Sequence, residues 1–448
     1  MALAVVWAPL PFGSVPPWAE SVLQALSFAL AGLGLLVASG ERWKAARAPA
    51  IGLLGIGALG ALQAVAWPAG LVSMLSPAHA RLAAAAAKTL QQGVPARLAL
   101  SLAPSASTSA GLAFAAAAAA LVAAATLGAE RLARRFLGGA IVLAALFQSF
   151  VGAQLWFARS RSIWGVEVPT QPWRLHGTFV NPDHLAAFLE LGLAVAFAWG
   201  WWGWRRGRSE GRLEARLLLA GPPAIIWLVI FLALAFTGSR AGLIAAVAAT
   251  AVQAALLGLK QRRVLPVLGG LAVVTVGLAV IAVVGFREGL GRLADSGPLD
   301  VSLGARIQLN SAALSLWQRF PLLGTGLGTF PEAVPMVLPA ALAGASWTHA
   351  HDDVAELLAT GGLVGLGLLL WMALATAKGL LSAWWNGSRS EDRAAALAAL
   401  GAVAGLGLHE LVDFGLTMPA NAFVLAVLCG GALGVRLKPA APIDRATT

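Results

Sequence analysis

Residues 348–371 read THAHDDVAELLATGGLVGLGLLLW, in which two histidines and two aspartates lead directly into a long apolar segment. The apolar window extends over roughly residues 356–377. A transmembrane helix needs about 20 apolar residues to cross the bilayer core. The stretch therefore predicts a membrane-spanning helix with a polar cluster at its N-terminal end.

Apolar segments of this length recur along the whole chain. Of its 448 residues 59% are hydrophobic and only 11% are charged, which indicates a polytopic membrane protein rather than a globular domain with one anchor. We predict an all-α protein, a polytopic integral membrane protein with about 12 transmembrane helices and a long outer loop that carries short helices. The apolar windows lie at roughly 2–12, 21–39, 48–67, 110–127, 136–157, 180–202, 217–236, 241–259, 264–285, 356–377, 394–413 and 419–435.

The connections between these windows alternate in charge. One set, which includes both termini, carries 20 of the 31 basic residues and seven of the 20 acidic ones. The positive-inside rule assigns this set to the cytoplasm. The net charge of +11 is thus mostly a topology signal, and we expect no nucleic-acid partner.

Two further features limit the possible classes of protein. The N-terminus, MALAVVWAPLPF, has neither a basic region nor a small-residue cleavage site, so we interpret it as a short first span rather than a cleaved signal peptide. The single cysteine, Cys429, excludes an intramolecular disulfide framework.

The polar residues with chemical potential concentrate on the opposite, outer side. All six histidines fall in or beside outer segments, and the two longest connections, about 68–109 and 286–355, are also outer. Long loops commonly carry function. Within the second of these loops, ARIQLNSAALSLWQRF (305–320) has helical spacing and fits an amphipathic surface helix, whereas PLLGTGLGT (321–329) predicts a loop.

The cluster in the opening stretch has three interpretations. His349, His351 and Asp353 have the H-x-H-x-D spacing of some metal sites, but no other His/Asp cluster lies nearby in sequence. Asp352 and Asp353 also suit the positive end of a helix, as ordinary interfacial residues would. The third interpretation is a catalytic site completed by two arginines.

Those arginines are Arg240, in a very short outer turn, and Arg306, at the start of the surface helix. Each could instead be solvated at the interface or extend to a lipid phosphate. Together with a neutral imidazole, two guanidinium groups can hold a diphosphate while the imidazole takes a proton from an attacking hydroxyl.

Two other segments contribute polar groups on the outer side. Asn181 followed by Pro182 is typical of a capped helix start, and His184 could contact an acceptor. Glu190 lies within a span and needs a partner, for which we expect an outer-face arginine. His409 and Asp413 lie one helical turn apart on one face, where they could orient a catalytic group or join two helices.

Four segments resemble the superfamily of O-antigen ligases and polymerases of bacterial envelopes. These are GTFVNPDHLAAFLE (177–190), TGSRAGL (237–243), ARIQLNSAALSLWQRFPLLGTGLGTF (305–330) and HAHDDVAELLATGGLVG (349–365). The ligase pattern is His, then Asn, Ser or Gln, nine residues, Gly, two residues and Gly, Thr or Tyr. His351, Gly362 and Gly365 match it, and Asp352 departs from it.

The resemblance implies a metal-independent, inverting glycosyltransferase without a cofactor, in the bacterial inner membrane with its active site on the periplasmic face. It implies a glycan donor linked to undecaprenyl diphosphate, an acceptor hydroxyl on lipid A core or on another lipid-linked repeat, and contact with membrane lipids. His351 would be the general base, and Arg240 and Arg306 would bind the diphosphate. The supporting or acceptor-side residues would be His349, Asp352, Asp353, Asn181, His184, Glu190, His409 and Asp413, with no metal ligand.

This interpretation divides the chain into three parts. Residues 1–157 would form an N-terminal transmembrane scaffold, and 158–380 the O-antigen ligase-like catalytic region, including the periplasmic loop 286–355. Residues 381–448 would supply C-terminal transmembrane helices and a short cytoplasmic tail.

Two other functions remain open. A twelve-span transporter or flippase for a lipid-linked or small anionic substrate would place ionisable groups near the bilayer midplane, as Glu190 does. A metal-dependent membrane hydrolase would use the H-x-H-x-D residues as ligands.

Overall fold

The computed structural model describes residues 1–37, 43–262, 269 and 303–435. Within these ranges the chain is almost entirely helical. The α-helices are, in chain order, α1 Ala2–Trp7, α2 Pro17–Val37, α3 Arg47–Ala64, α4 Ala69–Leu75, α5 Pro77–Thr89, α6 Pro104–Gly128, α7 Arg131–Phe157, α8 Pro182–Ser209, α9 Leu213–Phe236, α10 Arg240–Gln261, α11 Leu303–Arg319, α12 Phe330–Ala333, α13 Asp353–Asn386, α14 Ser390–His409 and α15 Pro419–Leu433.

The remaining regular structure is short. Five 3-10 turns lie at Phe12–Ser14, Lys44–Ala46, Val334–Met336, Ala340–Leu342 and Gly415–Thr417. Strand β1 (Ala66–Pro68) pairs antiparallel with β2 (Arg97–Ala99), with Trp67 opposite Leu98. Strand β3 (Ser162–Ile163) pairs antiparallel with β4 (Val166–Glu167), with Ile163 opposite Val166.

Eight of the described helices, α2, α3, α6–α10 and α13, are long and apolar enough to cross a membrane. This confirms the predicted all-α polytopic class, whereas the number of twelve spans remains a prediction. The first predicted window folds as a helix of six residues, which is too short to cross. The predicted window at 264–285 lies outside the described residues apart from Gly269.

Helix α8 lies at the centre of the bundle. It packs against α7, α9, α10 and α14, and 78% of its most apolar window is buried. Its first turns carry consecutive buried residues, from Leu185 to Leu191. A helix with apolar residues on every side is buried on every side. The positions of its side chains are therefore fixed by packing against the neighbouring helices.

The helices alternate in direction, so the bundle has two chemically different ends. At one end α6 is joined to α7, α8 to α9 and α13 to α14 by short connections, and arginines lie in these connections or in the helix turns beside them. We call this the arginine-rich end. At the other end α8, α10 and α13 begin and α9 and α14 end, and the predicted site residues lie there.

A helix is observed as α11 where helical spacing predicted one, and a loop follows it before α12, as expected from the glycines and proline of that segment; its position on the outer leaflet remains a prediction. This loop is attached to α13 by backbone hydrogen bonds. Thr325 N–H donates to Ala359 (3.0 Å) and Gly326 N–H donates to Thr360 (3.0 Å). Gln63 of α3 reinforces the junction by donating to the carbonyl oxygens of Leu323 (2.6 Å) and Thr360 (3.0 Å).

Candidate functional site

The start of α13 carries the centre of the predicted site. Asp352 is its N-cap, because its Oδ1 accepts the N–H of Ala355 at 2.8 Å. Burial raises the pKa of the Asp352 carboxyl, and the hydrogen bond from Ala355 opposes this rise. Asp is among the preferred N-cap residues, as Asn and Ser are. Asp352 can therefore cap the helix as the Asn or Ser of the ligase pattern would.

His351, immediately before this cap, adopts a left-handed backbone with φ of 57°. Few residues other than glycine adopt this conformation, which costs free energy and is found preferentially where function demands it. Its Nδ1 faces Oδ1 of Asp413 at 3.6 Å, just beyond hydrogen-bonding distance. The carboxylate of Asp413 is only 2% exposed, so it offers His351 a charged partner in a protected environment.

Three predicted histidines surround one aromatic ring, Phe414. His349 stacks on it with ring centroids 4.2 Å apart, while His184 (4.6 Å) and His351 (4.8 Å) contact it edge-on. These contacts bring the starts of α8 and α13 together at the turn after α14. The sequence did not indicate Phe414, because an apolar residue in such a chain carries no local signal.

A second acid–histidine pair lies deeper in the bundle. Glu190 Oε1 lies 2.6 Å from Nδ1 of His409, and both side chains are at most 1% exposed. The expectation of an arginine partner for Glu190 was therefore wrong. Helix α14 ends at His409, so Asp413 lies in the following turn rather than on the helix; its Oδ2 nevertheless lies 3.9 Å from His409 Nε2.

These contacts form a buried series of ionisable side chains, namely His351, Asp413, His409 and Glu190. Several of its atoms, including His351 Nδ1, His409 Nε2 and Glu190 Oε2, have no hydrogen-bond partner among the described residues. Buried polar groups are normally satisfied. Partly satisfied groups of this kind at the end of a bundle are typical of a site that binds a polar ligand.

Asp183 connects the arginines with this series. Its Oδ1 accepts from Arg174 Nη2 (2.6 Å), and its Oδ2 lies 4.0 Å from Arg306 Nη2. Arg306 Nη1 also donates to the carbonyl oxygen of Val412 at 2.5 Å. Arg306 and His351 therefore meet at the same two-residue segment, 412–413. Arg174 was not predicted, and nothing in its local sequence distinguishes it from other loop arginines.

Arg240 lies beside this group, as the first residue of α10. The residue before it, Ser239, caps α10 by accepting the N–H of Gly242 at 3.2 Å, and its hydroxyl also contacts Asp183. The Arg240 side chain is exposed. The structure thus brings the start of α10, with Arg240, to Asp183 at the edge of the cluster.

The remaining predicted residues hold the segments in place. Asn181 caps α8 by accepting the N–H of Asp183 at 2.9 Å, as predicted. Asp353 donates its backbone N–H to Glu410 at 3.0 Å, and the two carboxyl groups face each other. His349 Nδ1 lies 3.2 Å from Glu356, which also accepts the N–H of Ala350. Glu356 and Glu410 were missed, although both adjoin predicted residues.

The glycine of the family pattern has a structural role. Gly362 interrupts α13 with φ of 63° and ψ of −162°, a conformation essentially restricted to glycine. A Cβ at this position would overlap the carbonyl oxygen of Leu322. At the break, Leu363 donates its N–H to Pro321 (2.9 Å) and Val364 donates to Leu322 (3.2 Å), so the glycine-rich loop docks where the helix opens.

Within the described ranges, no group of three or more His, Cys, Asp and Glu side chains is arranged to hold a metal ion. The cluster also extends across the predicted division of the chain, because His409 and Asp413 come from the segment 381–448. Residues of the predicted catalytic region 158–380 and of the C-terminal helices thus lie in one cluster.

Comparison with protein families gives a match over residues 224–370 to the family described as O-antigen ligase. The chain carries an O-antigen ligase-like region. This confirms the resemblance stated from the sequence. A comparison with curated proteins gave no match.

The O-antigen ligase-like region contains Arg240, Arg306, His349, His351, Asp352 and Asp353, and also Gly362. It supports, in general terms, a membrane glycosyltransferase of the O-antigen ligase or polymerase type. The matched region does not include Asn181, His184, Glu190, His409 or Asp413, which the structure brings to the same end of the bundle.

Proposed function

We propose that the protein transfers a glycan from undecaprenyl diphosphate to a sugar hydroxyl at the periplasmic face of the bacterial inner membrane. The acceptor is lipid A core or another lipid-linked repeat. The observation that carries the proposal is the convergence of Arg306 and His351 on residues 412–413. The O-antigen ligase match over 224–370 contains both residues.

In this mechanism His351 is the general base. The Asp413 carboxylate lies on the Nδ1 side of the imidazole, 3.6 Å away, which leaves Nε2 to take the proton from the acceptor hydroxyl. The acceptor oxygen then forms a bond to the anomeric carbon, while the bond from that carbon to the diphosphate oxygen breaks. Attack from the side opposite the leaving group inverts the anomeric configuration, and no metal takes part.

The arginines neutralise the leaving diphosphate. Guanidinium groups stay charged and bind phosphate oxygens through two parallel hydrogen bonds. The Arg306 side chain is 22% exposed and bonds Val412 through one nitrogen, so its other donors can reach a ligand. Arg240 extends from the start of α10, beside the Asp183 that contacts Arg306.

The distribution of charge supports a periplasmic site. The arginine-rich end contains Arg131, Arg135, Arg205, Arg206, Arg389 and Arg393, and the positive-inside rule assigns such an end to the cytoplasm. The His351 site lies at the opposite end of the same helices. It then faces the compartment in which finished lipid-linked glycans are joined.

Replacement of His351 by Ala tests the assignment of the base. We expect purified variant protein to transfer glycan about 10²- to 10⁴-fold more slowly than the parent while inserting normally into membranes. A matched control is Glu332→Gln, at an exposed residue on the same side of the bundle. Unchanged transfer by the His351 variant would refute the assignment.

Supplying lipid A core or a second lipid-linked repeat as the sole acceptor separates ligase from polymerase. A ligase forms product only with lipid A core, and a polymerase forms product only with the repeat.

A second candidate function is transport, which the buried pair of Glu190 and His409 favours, since ionisable groups within spans often form proton pathways. Reconstituted protein would then move a small anion or lipid-linked substrate in response to a proton gradient. Substrate movement without any glycan product would favour this candidate over the glycosyltransferase.

A further inference from the structure

A pocket of about 520 Å³ lies at the arginine-rich end, where α7 and α14 begin and α8 ends. Each of the three helix ends contributes two arginines to it. They are Arg131 and Arg135 from α7, Arg205 and Arg206 from α8, and Arg389 and Arg393 from the start of α14. The pocket is far along the helices from the His351 site and takes no part in the proposed transfer.

The charge in this pocket is largely uncompensated. Glu391 is the one acid among the lining residues, and it is paired with Arg135 through two hydrogen bonds of 2.7 and 2.8 Å. Among the described residues, no ion pair engages Arg131, Arg205, Arg206 or Arg389. Six guanidinium groups thus share a pocket with one carboxylate.

Helix geometry adds to the positive potential. The N-terminus of a helix carries a partial positive charge, which disfavours cations in its first turn and favours anions. Arg131 is the first residue of α7, and Arg389 is the N-cap of α14. The positive-inside rule accounts for positive charge at this end of the protein. It does not account for the concentration of that charge in one concave site beside two helix N-termini.

An apolar groove adjoins the pocket and shares Arg135, Trp202 and Glu391 with it. The groove is small, about 50 Å³, and lies between α7, α8, α14 and α15; its lining includes Leu137, Ile141, Val195, Trp199 and Leu428. A soluble anion would use only the charged part of this arrangement. A phospholipid would use both parts, with its phosphates at the arginines and the first methylene groups of an acyl chain against the groove.

We propose that this pocket binds an anionic phospholipid of the adjacent leaflet, with preference for a head group that carries two phosphates. Basic pockets between transmembrane helices commonly hold such head groups. Trp202 lies between the pocket and the groove, the level at which tryptophan side chains sit in a membrane interface.

The test uses the full chain purified in detergent and the double variant Arg205→Gln/Arg206→Gln. Native mass spectrometry measures the binding of cardiolipin, with two phosphates, and of phosphatidylglycerol, with one. The matched control is Arg208→Gln, an exposed arginine of the same helix that does not line the pocket. Thermal unfolding of all variants checks that they remain folded, and inorganic pyrophosphate serves as the competing soluble anion.

We expect the double variant to bind cardiolipin at least about tenfold more weakly than the parent, since each arginine near an anionic head group contributes measurably. The control should bind like the parent, and phosphatidylglycerol should bind more weakly than cardiolipin. Equal cardiolipin binding by the double variant and the parent would overturn the proposal. An equal loss in Arg208→Gln, or pyrophosphate binding as tight as that of cardiolipin, would overturn it as well.

Discussion

Nδ1 of His351 lies 3.6 Å from Oδ1 of Asp413, and the rings of His351 and Phe414 meet edge-on beside this contact. A carboxylate this close to an imidazole stabilises the cation that forms when the imidazole takes a proton. We therefore interpret Asp413 as a positioning residue for the proposed base. The segment that provides it, 410–418, is the turn between α14 and α15.

Asp413→Asn should lower the rate of glycan transfer by about 10- to 10³-fold, because the amide cannot stabilise an imidazolium. We therefore expect kcat to fall by a larger factor than KM changes. Steady-state kinetics with a lipid-linked donor measure both constants.

Glu332→Gln is again the matched control, because this acid is exposed and lies on the same side of the bundle. A transfer rate that matches that of the parent would show that Asp413 does not position His351.

The pair of Glu190 and His409 joins α8 to α14 inside the bundle. Loss of Glu190 removes the nearer of the two acids beside buried His409 and leaves only the longer contact with Asp413 (3.9 Å), so Glu190→Ala should destabilise the fold by up to about 3–5 kcal/mol. The double variant Glu190→Leu/His409→Leu should recover most of this loss, because apolar residues can fill the space of a buried ion pair. Thermal unfolding in detergent measures both. A double variant less stable than Glu190→Ala would contradict a purely structural role.

Local features of this site were predictable, whereas contacts between distant segments were not. The cap formed by Asn181 and the helix start at Asp352 and Asp353 follow from short-range rules and are confirmed. The partner of Glu190 lies 219 residues away in sequence and depends on how α8 packs against α14. For the same reason Phe414 gave no sign of its three histidine neighbours, since apolar residues are expected throughout such a chain.

Asp352 should tolerate replacement by residues that keep an N-cap acceptor. Asp352→Asn should retain the stability and transfer rate of the parent, whereas Asp352→Ala should lower the free energy of unfolding by about 0.5–2 kcal/mol. The reason is the hydrogen bond from Ala355 to the Asp352 carboxylate. Thermal unfolding and transfer assays of both variants check this. A stable Asp352→Ala variant with an inactive Asp352→Asn variant would indicate a chemical role for the carboxylate.

Gly362→Ala should disrupt the junction between α13 and the glycine-rich loop. Its φ of 63° and ψ of −162° exclude alanine, and the added Cβ would overlap the Leu322 carbonyl oxygen, so we expect a loss of about 3 kcal/mol or more. Gly367 lies in the same helix with no atom within 4 Å of an added Cβ, which makes Gly367→Ala a matched control.

The control should leave stability unchanged or raise it by up to about 1 kcal/mol, because alanine favours a helix interior more than glycine does. Thermal unfolding in detergent and proteolysis of the loop 320–330 distinguish the two variants. Because His351 lies at the start of the helix that Gly362 interrupts, release of the loop should also slow glycan transfer. Equal unfolding temperatures for the two variants would show that the break at Gly362 does not hold the loop against α13.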